Sequence, residues 1–330
     1  METEQAKLPP PPHLISSFAA GFDAIANHVA VILLPVLVDI FLWLGPHLRV
    51  KQFMLSLLNQ TQSASAQLPI PAGSMPDPTA VLQTWTDIFS RFNLFAGLRT
   101  FPVGPASLMI VRMPSASPLG TPVVYDLSSI FSIGAWILLI LMLGWIAGGL
   151  YYYSISSAAL TLPRRPLLPV LFQVLVLCVF WLALLFLVGT PMLMLLSVIV
   201  IISPFLGQAL MFMILMAVLW LVLPVFFSPH GIFAYQQNAL VSIRTSMRLM
   251  RYTLPTSGLF LMGSILIVWG LDFLWRTPPE TSWWAVVGIA GHAFVSTALL
   301  AASFVYYRDA NAWLTAVMER LKKHPASIKI

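Results

Sequence analysis

Long apolar runs with hardly a charge inside them alternate with short polar breaks along most of this chain. A helix needs about 20 apolar residues to cross about 30 Å of hydrocarbon at 1.5 Å per residue. Runs at 29–44, 130–152, 167–188, 257–275 and 283–306 meet or approach that length, and each is predicted to be a transmembrane helix. The first is short; residues 18–26 lead into it and extend it, and Pro35 is placed to kink it.

The stretch 191–227 is apolar throughout, and as one straight helix it would measure about 55 Å, too long for a simple crossing. Ser203-Pro204 and Gly207-Gln208 interrupt it. Two readings fit. One is a half-helix over 192–202 followed by a full span over 205–227; the other is a single long kinked helix projecting from the bilayer. Broken backbone at membrane depth is tolerated only where protein or a wet cavity surrounds it.

Charge placement supplies the orientation. Arg164-Arg165 follow the second span, Arg244, Arg248 and Arg251 follow the fourth, and Arg308, Arg320, Lys322 and Lys323 follow the last. Basic flanks mark the cytoplasmic side, so six crossings with both termini cytoplasmic satisfy every short loop. Residues 1–28 are then a cytoplasmic N-terminal segment and 307–330 a cytoplasmic amphipathic segment. The start of the chain lacks a basic n-region and a short apolar core, so the first span reads as a retained anchor rather than a cleaved signal.

Residues 45–129 form the one large polar interval and are predicted to be a small extracytoplasmic cap. Within it 63–78 is rich in Ser, Ala, Pro and Gly and reads as linker. Val81, Trp85, Ile88, Phe92 and Phe95 recur at helical spacing over 79–98, whereas 108–113 and 123–127 are strand-like. Asn59-Gln60-Thr61 matches the short glycosylation sequon. The expected fold is an all-α polytopic membrane helix bundle of about six transmembrane helices under this cap.

Composition agrees with the pattern. Of the 330 residues 59% are hydrophobic and 8% charged, with a mean hydropathy of +0.89; soluble domains carry about a quarter charged residues. The net charge of +6 is explained by basic membrane flanks. It comes without the Lys/Arg run of a nucleic-acid tail, so no nucleic-acid partner is expected. Cys178 is the single cysteine and excludes an intrachain disulfide.

Ionisable residues inside spans are costly and point to function. Asp39, Asp272 and His292 are the candidates for an intramembrane polar site. Both carboxylates fall near span ends, where water reaches them, and Asp272 stands four residues before Arg276, the spacing of a helical ion pair. His292 and Ser296 share a helix face beside Gly288 and Gly291. That face suits helix packing around a hydrogen-bonded histidine, or a proton relay. No second ligand stands at helical spacing, so no metal is expected. Gly144 and Gly148 form a small-xxx-small pair that lets backbones approach.

Over 239–251, Leu240, Ile243, Met247 and Met250 make one stripe and Arg244, Arg248 and Arg251 another. Opposed apolar and basic faces suit an interfacial helix whose arginines contact anionic lipid. The run 311–323 repeats the arrangement less tidily. Ser242–Leu249 reads Ser-Ile-Arg-Thr-Ser-Met-Arg-Leu, and Tyr306–Asp309 reads Tyr-Tyr-Arg-Asp. With the spans around them these residues resemble the membrane domain of glycerophosphoryl diester phosphodiesterases and of related bacterial multi-pass proteins. The resemblance covers 221–312 and departs at Gln236-Gln237-Asn238, where that domain carries an acidic residue. It implies a membrane-embedded helical unit without assigned chemistry. The catalytic barrel of those enzymes, with its His and Glu ligands, has no counterpart here.

Walker, His-Glu-x-x-His, Gly-x-Ser-x-Gly and Cys-x-x-Cys-His motifs are all missing from the sequence. The leading expectation is therefore a non-enzymatic, cofactor-free component of a bacterial plasma membrane: an accessory, assembly or lipid-organising protein whose partners are membrane lipids or membrane-protein subunits. A transporter or channel built on the broken 191–227 element is the first alternative, and a lipid-modifying enzyme the second.

Overall fold

The computed structural model describes residues 11–65, 78–161 and 166–323. Arg164-Arg165 and residues 66–77 of the predicted linker lie outside the described residues. The described residues are predominantly helical, with almost no sheet. Among them five helices are long and apolar enough to cross a membrane, and a bent N-terminal pair makes a sixth candidate crossing.

That pair is α1 (Leu14–Asn27) and α2 (Leu33–Leu44), separated by a 3₁₀ turn and bent by 92°. His28 breaks the helix with a non-helical φ of −132° and ψ of 50°, so residues 18–26 do not extend the first span in a straight line. The long helices follow: α6 (Ile130–Leu160), α7 (Leu167–Leu184), α8 (Thr190–Ile202), α9 (Pro204–Val225), α11 (Ala239–Trp275) and α12 (Ala285–Lys323). The buried α10 (Ser228–Tyr235) sits between α9 and α11.

Helix α12 is the axis of the bundle. Its apolar window is 61% buried, against 11–28% for the other four long helices. Small residues make this fit: Ala293, Ala298, Ala301 and Ala302 are fully enclosed. Phe18 and Tyr306 both stack on Phe260, while Phe22 meets Phe294, so α1 runs antiparallel along α12. Two ends are thereby defined: a tryptophan end with Trp43, Trp275 and Trp283, and a tyrosine end with Tyr306 and Tyr307.

The 191–227 stretch follows neither reading in full. Residues 192–202 do not start afresh after Gly189; they continue α7 through a π-helical turn, Leu185–Gly189. The Thr190 amide reaches back to Leu185, a bond five residues long. This widening absorbs Pro191, whose ring crowds the preceding turn and whose missing N–H opens the ladder. The break comes at Ser203, which is extended and accepts the Leu206 amide as the cap of α9. Gly207 then faces Val200 across the turn, so α8 and α9 make a tight apolar hairpin.

The interval between α2 and α6 contains α3 (Lys51–Ser65), α4 (Pro78–Arg91), α5 (Leu108–Arg112) and a parallel pair, β1 (His47–Arg49) with β2 (Val124–Asp126), His47 opposite Val124. The strand expected over 108–113 is instead helix α5. Ser107 caps it by accepting the Ile110 amide, and an aspartate supplies further acceptors, so a helix start outcompetes the local β propensity. This interval does not all rest on the bundle's surface. Gly144 and Gly148 of α6 admit its backbone: a β-carbon at Gly148 would stand 2.7 Å from the Val103 carbonyl and 2.8 Å from the Gly104 Cα. Gly148 is about 27 Å down α6 from Ile130, so the loop is a wedge driven between α6 and α7, with Phe101 against Trp181. Gly288 and Gly291 do pack a helix, receiving Trp275 of α11.

His47 is buried, and desolvation together with the neighbouring Arg49 guanidinium holds its imidazole below the ordinary value of 6.5. The folded state then binds a proton less readily than the unfolded chain, so stability is full above that value and lost as the pH falls below it. Melting temperature should fall more between about pH 7.5 and about pH 5.5 in the parent than in His47→Gln; equal falls would rule this out.

Candidate functional site

At the tyrosine end, α10, the start of α11 and the middle of α12 enclose a polar cluster. Ser228 to Ala234 are all buried, and Gln236 ends α10 in the left-handed conformation. Asn238 then caps α11 by accepting the Val241 amide, and Gln173 of α7 accepts the Ala239 amide. These bonds fix the turn.

Gly231 is the centre of the cluster. A β-carbon there would collide with the Ser242 hydroxyl and stand 2.5 Å from Gln237 Oε1 and 3.0 Å from the Tyr307 hydroxyl. Only glycine fits. Ser242 donates to the Ser228 carbonyl; Ser246 donates to Pro224 O at 2.9 Å and accepts the Phe227 amide at 3.1 Å. The inward face of this part of α11 is therefore a serine face. Leu240 is 60% and Met247 49% exposed, and of the apolar stripe Met250 alone is buried.

His230 is enclosed by Phe227, Phe304 and Tyr307. Ser303 gives its one hydroxyl hydrogen to the Leu300 carbonyl, so His230 donates to Ser303 from Nε2 at 2.7 Å, and Nδ1 lacks a partner. At 2% exposure this histidine is sealed into the core. Beside it, α11 kinks at Thr253, two residues before Pro255. Thr253 bonds the Leu249 carbonyl and Ser257, and Ser257 bonds the Tyr306 hydroxyl at 3.0 Å. Proline removes a ladder donor, and these hydroxyls hold the bend in one geometry.

Outside this polar interior, Arg244, Arg248 and Arg251 all project from α11 and are exposed. Arg251 lies 6.0 Å from the Tyr252 ring centroid, and Arg308 pairs with Asp309.

The other predicted residues lie toward the tryptophan end. Asp272 forms the i,i+4 ion pair with Arg276, as the spacing implies. His292 Nδ1 faces Asp272 Oδ1 at 3.9 Å, and its Nε2 is 3.4 Å from Ser296 Oγ. Asp39 is not at a water-accessible span end: it is fully buried and accepts from the Ser107 hydroxyl and the Leu108 and Met109 amides. Arg99, an exposed residue of the wedge, lies within electrostatic range of both Asp39 and His292. Among the described residues no group of three or more His, Cys, Asp or Glu side chains is placed to hold a metal.

The sequence offers no sign of His230 or Gly231 as central residues. Pro229-His230-Gly231 sits at the end of an apolar run, and only the packing of α10 makes it the hub. Ser242 and Tyr307 meet there beside Gly231. No protein-family model, curated protein or solved structure matches the chain.

Proposed function

We propose that this chain is a non-enzymatic component of a bacterial plasma membrane, both termini cytoplasmic, that organises anionic lipid at its cytoplasmic face as an accessory or assembly protein. One observation carries the reading: Arg244, Arg248 and Arg251 are exposed on a helix whose other exposed positions include Leu240 and Met247 and whose inner face is tied down by serines. The apolar positions seat the helix in the interface, and the guanidiniums reach phosphates bidentately. Positive-inside placement then makes the tyrosine end cytoplasmic.

Each basic residue near an anionic leaflet contributes about 1 kcal/mol, so three sum to about 3 kcal/mol, roughly a hundredfold in affinity. The variant carrying Arg244→Gln, Arg248→Gln and Arg251→Gln should lose most of the anionic lipid that the parent retains in mild detergent, read by native mass spectrometry. Undiminished retention removes the proposal.

A transporter or channel is the second reading, favoured by Asp272 and His292 facing each other at 3.9 Å. It predicts ion flux in proteoliposomes that His292→Ala abolishes; flux no greater than in empty liposomes rejects it.

A further inference from the structure

We infer that a pocket at the tyrosine end binds a phosphate ester bearing a primary ammonium, the phosphoethanolamine group. This deepens the lipid-binding reading and rests on it for the source of the ligand, a phosphatidylethanolamine of the surrounding bilayer.

The pocket has a volume of about 640 Å³ and opens between the turn after α10, the arginine-bearing part of α11 and the end of α12. That size lies within the usual small-ligand range of about 300–1,000 Å³. Arg248 stands on the α11 wall and Glu319 on the α12 wall, with Thr245, Asn311 and Thr315 between them. Both charged side chains belong to exposed residues. None of the salt bridges Arg112–Glu280, Arg276–Asp272 and Arg308–Asp309 involves either of them. The buried Leu314 contributes an apolar patch. Gln237 also lines the pocket, and its Oε1 is shielded from solvent without a hydrogen-bond partner; so is the Tyr307 hydroxyl, which converges with it on Gly231.

Two unpaired charges of opposite sign on facing walls select the ligand's chemistry. An anion alone would meet Glu319, and a cation alone would meet Arg248. A neutral polyol would give both only uncharged hydrogen bonds, about half as strong as charge-assisted ones. A zwitterion satisfies both. The guanidinium fork takes two phosphate oxygens. A primary ammonium offers three N–H donors, matching the Glu319 carboxylate and the hydroxyls and amide of Thr245, Thr315 and Asn311 that line the same pocket. A quaternary ammonium has no N–H to give and is disfavoured.

The test uses the full chain in mild detergent, loaded with an equimolar mixture of phosphatidylethanolamine and phosphatidylglycerol and read by native mass spectrometry. The ratio of retained phosphatidylethanolamine to phosphatidylglycerol, the latter held by the arginine face, should fall about tenfold from the parent to Glu319→Gln, and Arg248→Gln should reduce retention of phosphatidylethanolamine by about tenfold. Both positions are exposed, so neither change should disturb the fold, which a melting curve verifies. In a second arm, soluble phosphoethanolamine is titrated onto delipidated protein. Binding that depends on Arg248 and Glu319 while lipid retention ignores both changes would keep the chemistry and assign the site to a soluble ester. A Glu319→Gln protein with an unchanged lipid ratio and unchanged affinity for the soluble ester overturns the proposal. Arg244→Gln/Arg251→Gln separates the two readings: unchanged phosphatidylglycerol retention in that variant counts against anionic-lipid organisation and leaves the Arg248/Glu319 result standing.

Discussion

Gly21→Leu should unseat α1 from the bundle and lower the melting temperature of the whole chain by several degrees or more. At Gly21 the obstacle is backbone. A β-carbon would stand 2.5 Å from the Ala298 carbonyl oxygen and 2.5 Å from the Ala302 β-carbon, with the Ala302 amide nitrogen still nearer. Those atoms belong to the interior of α12 and cannot step aside without moving the axis of the bundle. Overpacking a tight core costs about 1–3 kcal/mol even where side chains can yield; here the helices must part, so the upper end applies. Parting them also opens the Phe18–Phe260 stack, 4.9 Å between centroids, and the Phe22–Phe294 contact.

The chain carries its own reporter. Cys178 is the single cysteine and is 7% exposed within the same core cluster as Ile25 of α1. A thiol-reactive fluorogenic dye therefore reads unfolding directly. Gly21→Ala, which adds only the β-carbon, should already be destabilised. Ile15→Ala on the outward face of α1, where the parent side chain is 84% exposed, should stay within about 0.5 kcal/mol of the parent. A Gly21→Leu melting temperature equal to the parent's would mean that α1 is not docked on α12.

That contact was poorly legible in the sequence, and the reason is physical. Ser16, Ser17, Asp23 and Asn27 dilute the apolar character of 14–27, so hydropathy registers only the richer run after His28. Gly21 gains meaning only opposite the alanines of α12, some 280 residues away. The long helices were legible because burial in hydrocarbon demands length and apolarity, both local properties. The break at Ser203 was legible for the same local reason, Ser-Pro at a helix start. The π-helical joint that fuses α7 to α8 was not, because Gly189-Thr190-Pro191 reads as a loop unless the widened turn is known.

The tyrosine-end site was half legible. Arginines at intervals of three and four residues announce an exposed face, and they are exposed. The serine face beside them is equally periodic at Ser242 and Ser246, yet serine carries little hydropathy, and its partners at Pro224 and Ser228 lie in another element. Gln236-Gln237-Asn238, where the resemblance fails, proves structurally occupied: Gln236 supplies the left-handed helix end, Gln237 the pocket oxygen and Asn238 the cap of α11.

Asp39→Leu should release the wedge while leaving the long helices in place. The carboxylate accepts the Leu108 amide at 2.9 Å, the Met109 amide at 3.0 Å and the Ser107 hydroxyl, all in a site with no exposed surface. It supplements the Ser107 cap of α5 from α2, taking the Leu108 and Met109 amides, and an anion at a helix N-terminus is favoured by the free amides there. Leucine leaves two buried backbone donors without acceptors, and each costs about 1–3 kcal/mol. Asparagine keeps one acceptor oxygen and loses the charge, so its effect should be intermediate. The wedge's other contacts, Val103 and Gly104 against Gly148 and Phe101 against Trp181, are close packing that opens once the anchor is gone. The Val103 carbonyl lies against Cys178, so opening bares the thiol. Alkylation of Cys178 well below the melting temperature should then speed up by about thirtyfold or more in Asp39→Leu, tracking a local opening equilibrium shifted by at least about 2 kcal/mol. It should speed up less in Asp39→Asn and remain at the parent's rate in Asp309→Asn, whose ion pair with Arg308 is exposed at the tyrosine end. If Asp39→Leu alkylates no faster than the parent, the carboxylate does not hold the wedge, and the deep seating of residues 94–109 must rest on packing alone.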